Sequence, residues 1–180
     1  MRRHGALFPQ IVAMDNLREA SRLAKKNKSS RYDVKKYIKN EKRNIERIRD
    51  MLIDGVYQTS PYTVKTIYEP KEREIFILPF FPDRIIQHAV MNVVEPIWDN
   101  LFDDRSFSCR TGKGIHAGLG YSMKLVKRNK YCAKNDISKF YPSINHNIAM
   151  EFIERKIKDQ QNKAKKEAKK QEKLAKKENK

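Results

Sequence analysis

The strongest constraint on this chain is the point at which its apolar residues run out. From Asp159 to Lys180 the sequence falls to Lys, Glu, Gln, Ala and Asn, with a single Leu and no aromatic residue. Such a segment buries too little apolar surface to offset the entropy of ordering it, and reads as a solvated helix or a tail. Any core must therefore be assembled from the residues before it. With 180 residues in all, there is room for one domain with a real core.

That earlier part is patterned. The opening to about Lys28 is basic with space for one helix, and Asn27 to Ser30 reads as a linker ending in a helix start signal. Between Asp33 and Asp54, Val34, Tyr37, Ile38, Ile45, Ile48, Met51 and Leu52 recur at helical spacing, which predicts one amphipathic helix stopped at Gly55. Tyr62 to Tyr68 and Glu74 to Leu78 are rich in β-branched and aromatic residues and flank a charged turn, the pattern of a hairpin with a basic tip. Pro79 and Pro82 end the second strand, and Asp83 starts a helix carrying Ile85, Ile86, Ala89, Val90, Val93 and Val94 to about Asn100. Ser106 to Lys113 reads as a loop, His116 to Arg128 as a helix, and Tyr131 to Ile137 as a short strand that delivers Asp136 at its end. The fold class expected is mixed α/β, of the α+β kind, and nothing repeats internally with a fold-bearing period.

The formal charge is +18 and the pI near 9.9. A balance of that size suits a chain that lies against phosphate backbones, where each Lys or Arg releases counterions. The stretch from Lys156 to Lys180 holds a large share of the charge as solvated tail, yet the body remains basic without it. Cys109 and Cys132 form no CxxC pair and no ligand cluster, so neither a zinc site nor a disulfide framework is indicated and a reducing cytoplasm fits. The opening MRRHGALFPQ lacks the apolar run and small-residue cleavage site of a signal peptide. No stretch approaches the roughly 18 apolar residues of a spanning helix, so a soluble protein with no membrane partner is expected.

Asn135-Asp136-Ile137-Ser138-Lys139-Phe140-Tyr141-Pro142-Ser143-Ile144 is the most informative string. A carboxylate leaving a short apolar strand suits metal binding, because a strand end holds the oxygen rigidly where Mg²⁺ keeps its waters and also touches a triphosphate. Taken alone, the same Asp reads equally as a cap or turn residue. Two further blocks precede it in order. Arg73-Glu74-Ile75 runs through Pro79 to Asp83-Arg84-Ile85-Ile86-Gln87-His88, and Ser106-Phe107-Ser108-Cys109-Arg110 is followed by Gly112, Gly114 and His116.

In this order, from about Tyr62 to Ile153, the blocks resemble the first two motifs of the fingers and motif A of the palm in prokaryotic reverse transcriptases. These are the enzymes of group II introns, retrons and, most closely, diversity-generating retroelements. The resemblance implies an RNA-directed DNA polymerase that adds dNTPs to a DNA or RNA primer on an RNA template with Mg²⁺. It implies Asp136 as a catalytic, metal-binding aspartate with the Ile137 carbonyl as a second ligand. It also implies Tyr141, beside Phe140, as an aromatic gate against a ribose 2′-OH, although spacing alone would make both rings core aromatics. Lys71 and Arg73 match basic finger positions that hold an incoming triphosphate. Arg84 and Arg110 are candidates for template or nucleotide contact, or for pairing with a neighbouring carboxylate. Lys113, between Gly112 and Gly114, lies in a turn whose backbone could approach nucleic acid and which is not a P-loop. His88 and His116 read as packing residues, since neither has a partner at ligand spacing.

The pattern also departs from that family. No Tyr-X-Asp-Asp segment supplies the further carboxylates of a two-metal site. Asp103-Asp104 precedes the second block and is no substitute for it. The expected organisation is a basic segment over 1–30, fingers over 31–128, the start of a palm sheet over 129–155 and a Lys/Glu-rich tail over 156–180. Two readings follow. The first is the front portion of a polymerase, inactive alone and completed by a second chain carrying the rest of palm and thumb. The second is a non-catalytic nucleic-acid-binding remnant.

Overall fold

The computed structural model describes residues 3–69 and 71–158. They divide into two bodies, Gly5–Glu95 and Pro96–Lys158 with residues 3–4. The Lys-rich stretch from 159 onward lies outside the described residues. No helix among the described residues is long and apolar enough to cross a membrane.

After a two-residue strand, β1 (His4–Gly5), the first body opens with α1 (Leu7–Ile11) and α2 (Met14–Lys25). Helix α2 buries Leu17, Ala20, Ser21 and Ala24, a stripe at helical spacing whose small members allow close approach. It packs on α4 (Glu41–Ile53), which is preceded by α3 (Tyr32–Ile38). The single helix expected over Asp33 to Asp54 is thus two. Asn40 has φ −130° and ψ 36°, outside helical geometry. The Tyr37 carbonyl accepts from the Asn40 N–H at 3.2 Å and from Asn44 Nδ2 at 3.0 Å. Asparagine groups competing for a helical carbonyl end the first segment. The break lets Val34 and Tyr37 of α3 and Ile45 and Ile48 of α4 join one core with Leu17, Phe80 and Ile85.

A polar relay crosses the same core. Tyr37 donates to Ser21 Oγ at 2.9 Å, Ser21 donates to Glu41 at 2.6 Å, and Lys25 reaches both Glu41 oxygens at 2.5 and 2.7 Å. Burial, only partly opposed by the Ser21 hydrogen bond, pushes the Tyr37 hydroxyl up to about 12, so it remains a donor.

The hairpin forms as expected. Strands β2 (Thr63–Ile67) and β3 (Arg73–Ile77) pair antiparallel, with Thr63 opposite Ile77 and Ile67 opposite Arg73. An irregular turn over Phe80–Arg84, with Phe81 extended, leads into α5 (Ile85–Asp99), which buries Ile85, Ile86 and Ala89. The division between the bodies falls at Pro96, inside α5 and within the stretch 31–128 expected as one unit.

The second body holds α6 (Gly114–Arg128), the short α7 (Phe140–Ser143), α8 (His146–Lys156) and a two-residue strand β4 (Ile157–Lys158). Asn145 caps α8, its side chain accepting from the N–H groups of Asn147 and Ile148. Arg3 donates to the carbonyls of Glu154 and Ile157. The strand expected over Tyr131 to Ile137 is not formed. Those residues have no regular structure and are exposed. Strand propensity is realised only when a neighbour completes the ladder, and none of the described strands pairs with this segment.

Candidate nucleic-acid and nucleotide site

The sequence-predicted residues fall into two groups, one in each body. Lys71 and Arg73 stand at the turn and the first position of β3, both exposed. Among the described residues neither makes an ion pair or side-chain hydrogen bond, so both charges are available to an anion. Arg84 is also exposed and among the described residues donates to Gln87, at 3.3 Å. His88 is partly buried, and burial followed by the charges of Lys28 and Arg84 holds its pKa below the ordinary value, which keeps it neutral near pH 7.

A residue not singled out for function anchors this group. Asp83 is fully buried and accepts from the Tyr57 hydroxyl at 2.8 Å and from the Ser60 N–H at 3.1 Å. Tyr57 and Ser60 lie just before β2 and Asp83 just after β3, so one carboxylate ties together both ends of the hairpin. Burial works to raise its pKa, but the hydrogen bonds from Ser60 and Tyr57 outweigh that and hold it below the ordinary carboxylate value. The Tyr57 hydroxyl is correspondingly raised, by burial and then by its bond to Asp83. The only sequence signal was an Asp at a helix start, which local pattern assigns to capping.

In the second body Arg110 is nearly enclosed, its side chain 9% exposed. It donates to the Asp99 carboxylate at 2.6 Å and to the carbonyls of Asp99, Asp103 and Ser106 at 3.0, 2.9 and 3.3 Å. Of the two roles left open for it, the carboxylate partner is present. Lys113 donates to the Asp104 carbonyl at 2.5 Å and lies over the Phe107 ring. Asp103 accepts from the Arg105 guanidinium at 2.9 and 3.1 Å and from its N–H at 2.8 Å. These bonds hold its carboxyl far below the usual range.

Asp136 and Ile137 sit on the exposed irregular segment before α7. Phe140 and Tyr141 follow, their rings edge to face with centroids 5.3 Å apart, and Tyr141 is 81% exposed. All four residues are exposed. Among the described residues no group of three or more His, Cys, Asp or Glu side chains is placed to hold a metal ion. One carboxylate and one carbonyl fall short of the near-octahedral oxygen set that Mg²⁺ demands, so the described residues do not by themselves fit a magnesium site.

No family model matches the chain. It is 30% identical over 123 residues to the group II intron-encoded protein LtrA of Lactococcus lactis subsp. cremoris, covering 64% of this chain and 20% of that protein. It is 27% identical over 127 residues to protein YkfC of Escherichia coli (strain K12), covering 64% and 32%. The nuclear intron maturase 4, mitochondrial, of Arabidopsis thaliana is 26% identical over 115 residues, covering 63% and 14%. The chain spans about a third or less of the length of these curated relatives. A group II intron-encoded protein and an intron maturase thus stand among its relatives, and this similarity along 63–64% of the chain supports the resemblance to reverse transcriptases.

Proposed function

We propose that this chain is the substrate-holding part of an RNA-directed DNA polymerase, one that binds an RNA template and its primer and contributes Asp136 to the polymerase centre. The observation that carries this is the similarity to the group II intron-encoded protein over 123 residues, joined to the order of the three blocks. The exposed cations of the hairpin add chemical support. Phosphoryl transfer is catalysed mainly by positioning and charge neutralisation, and Lys71 and Arg73 on a strand turn offer donors to a dNTP triphosphate. Arg84 supplies a further positive charge for the template backbone. In this reading 31–128 acts as fingers and 129–155 as the start of a palm. Tyr141, with Phe140, gates the sugar.

Polymerisation requires more carboxylates than Asp136, because magnesium supports in-line displacement only when held in fixed geometry. They would come from the Tyr-X-Asp-Asp half of the palm, with the thumb, which these 180 residues do not include. The chain alone is therefore expected to bind RNA without copying it. Among the described residues no further carboxylate joins Asp136 in a group that could hold a metal, which equally favours a second reading, a nucleic-acid-binding protein with no catalytic role. Primer extension on an RNA template with Mg²⁺ and dNTPs, run beside RNA binding and an Asp136→Ala control, tests the proposal. Binding without synthesis agrees with it. Synthesis abolished by Asp136→Ala would mean the chain completes its own centre, for instance by self-association. No RNA binding would overturn the proposal. Adding a polypeptide with the missing half separates the two readings, since only the first predicts Asp136-dependent synthesis.

A further inference from the structure

We propose that a cavity beside the α3–α4 turn of the first body takes the base of an unpaired nucleotide, a subsite that rests on the nucleic-acid reading above. The cavity has a volume of about 420 Å³, within the roughly 300–1,000 Å³ of sites that enclose small molecules. Its apolar wall is formed by Phe80 and Phe81. Phe80 belongs to the core, and the Phe81 ring packs on that of Tyr37 with centroids 5.8 Å apart, so the wall is supported from behind. The Arg47 guanidinium carbon lies 6.0 Å from the Phe81 ring centroid. A ring face and a guanidinium plane on a flexible stem are the two surfaces between which an unstacked base is held.

The polar rim fits the same occupant. Asn40 stands at the N-cap of α4 yet makes no capping bond with its side chain. Its amide offers a donor and an acceptor to a base edge. Asn44 spends its Nδ2 on the Tyr37 carbonyl and keeps its oxygen as an acceptor. Among the described residues Lys36 and Arg47 have no carboxylate partner, so their charges face the cavity mouth uncompensated. The wall's carboxylate, Asp33, is already held by Arg31 at 2.7 and 3.2 Å and repels a phosphate less than a free acid would. An acidic peptide would satisfy the two cations but leave the ring face and the amides without a use. A nucleotide uses all three. A base stacked and paired inside a duplex cannot enter, so the subsite selects single strands.

The test uses the full chain and two probes, a short single-stranded RNA carrying one 2-aminopurine and the 2-aminopurine ribonucleoside monophosphate alone. The single strand is expected to bind with quenching of the 2-aminopurine fluorescence. The exposed pair Asn40→Ala and Arg47→Ala should lose that quenching and bind the strand about tenfold more weakly, with an unchanged melting temperature. The same strand in duplex form should show neither effect. RNA binding without quenching, unchanged in the double variant, would overturn the cavity proposal and leave the proposed function standing. Quenching of the mononucleotide alone, lost in the variant, would keep the cavity and overturn the proposed function. If neither probe binds, both fall.

Discussion

Between Gly5 and Glu95 the apolar stripes of successive helices meet, and Leu17, Val34, Ile48 and Ile85 are each 0% exposed. Between Pro96 and Lys158 residues of the same kind remain in solvent, with Ile115 86% and Tyr131 82% exposed. Helix α6 carries Ile115, Leu119, Met123 and Val126 at helical spacing, and all four are exposed. Amphipathic spacing supplies a face. Burial requires a second element to cover it, which α4 provides for α2. Among the described residues of the second body no hydrophobic side chain is fully buried, and the most enclosed contact is that of Arg110 with its carboxylate and three carbonyls. The first body can therefore be judged by hydrophobic burial and the second by hydrogen bonding.

Core truncation should reveal the largest contrast. Leu17→Ala is expected to cost about 2–5 kcal/mol in urea unfolding, since it opens a cavity in a closed core. Leu119→Ala should change stability by no more than about 0.5 kcal/mol. Equal losses would show that the α6 stripe is covered in solution and would break the comparison.

Buried polar groups come next. Asp83→Ala removes the acceptor of both Tyr57 and Ser60 and should cost about 1–3 kcal/mol. The hairpin should lose amide protection first. Both Asp83 and Glu41 have folded-state pKa values held below their ordinary values of 3.8 and 4.5. The folded state then releases these protons more readily than the unfolded chain. Their stabilisation is fully present above the ordinary values and fades as pH falls through the lowered folded-state ones. Asp83→Asn and Glu41→Gln should flatten that acid limb of stability against pH, and an unchanged limb would refute the assignment.

In the second body Arg110→Lys keeps the charge but loses the fork that reaches Asp99 and the carbonyls at once. A loss of about 1–2 kcal/mol is expected, read as faster hydrogen exchange over 99–110. The smallest effect on stability belongs to Lys71→Ala and Arg73→Ala, within about 0.5 kcal/mol. Their signature is in binding, where removing each phosphate-neutralising charge should reduce the slope of log affinity against log salt by about 0.7 on single-stranded RNA. A slope that does not move would remove the hairpin from the proposed interface.

Much of this was legible in one dimension. Helices α5 and α6, the hairpin and the loop before α6 follow from apolar spacing and from Pro and Gly, because those signals are local. The Asp136 string and the exposed hairpin cations could be picked out by residue type, since charge and motif are properties of the chain itself. Tertiary structure decided the rest. It split Asp33 to Asp54 at Asn40 so that two short helices share one core, and it left Tyr131 to Ile137 unpaired because a strand needs a neighbour. It also gave Asp83 a fastening role that depends on Tyr57 and Ser60, residues 26 and 23 positions away. The order of residues sets which groups want burial, pairing or a partner. Only the folded chain determines whether a partner distant in sequence arrives.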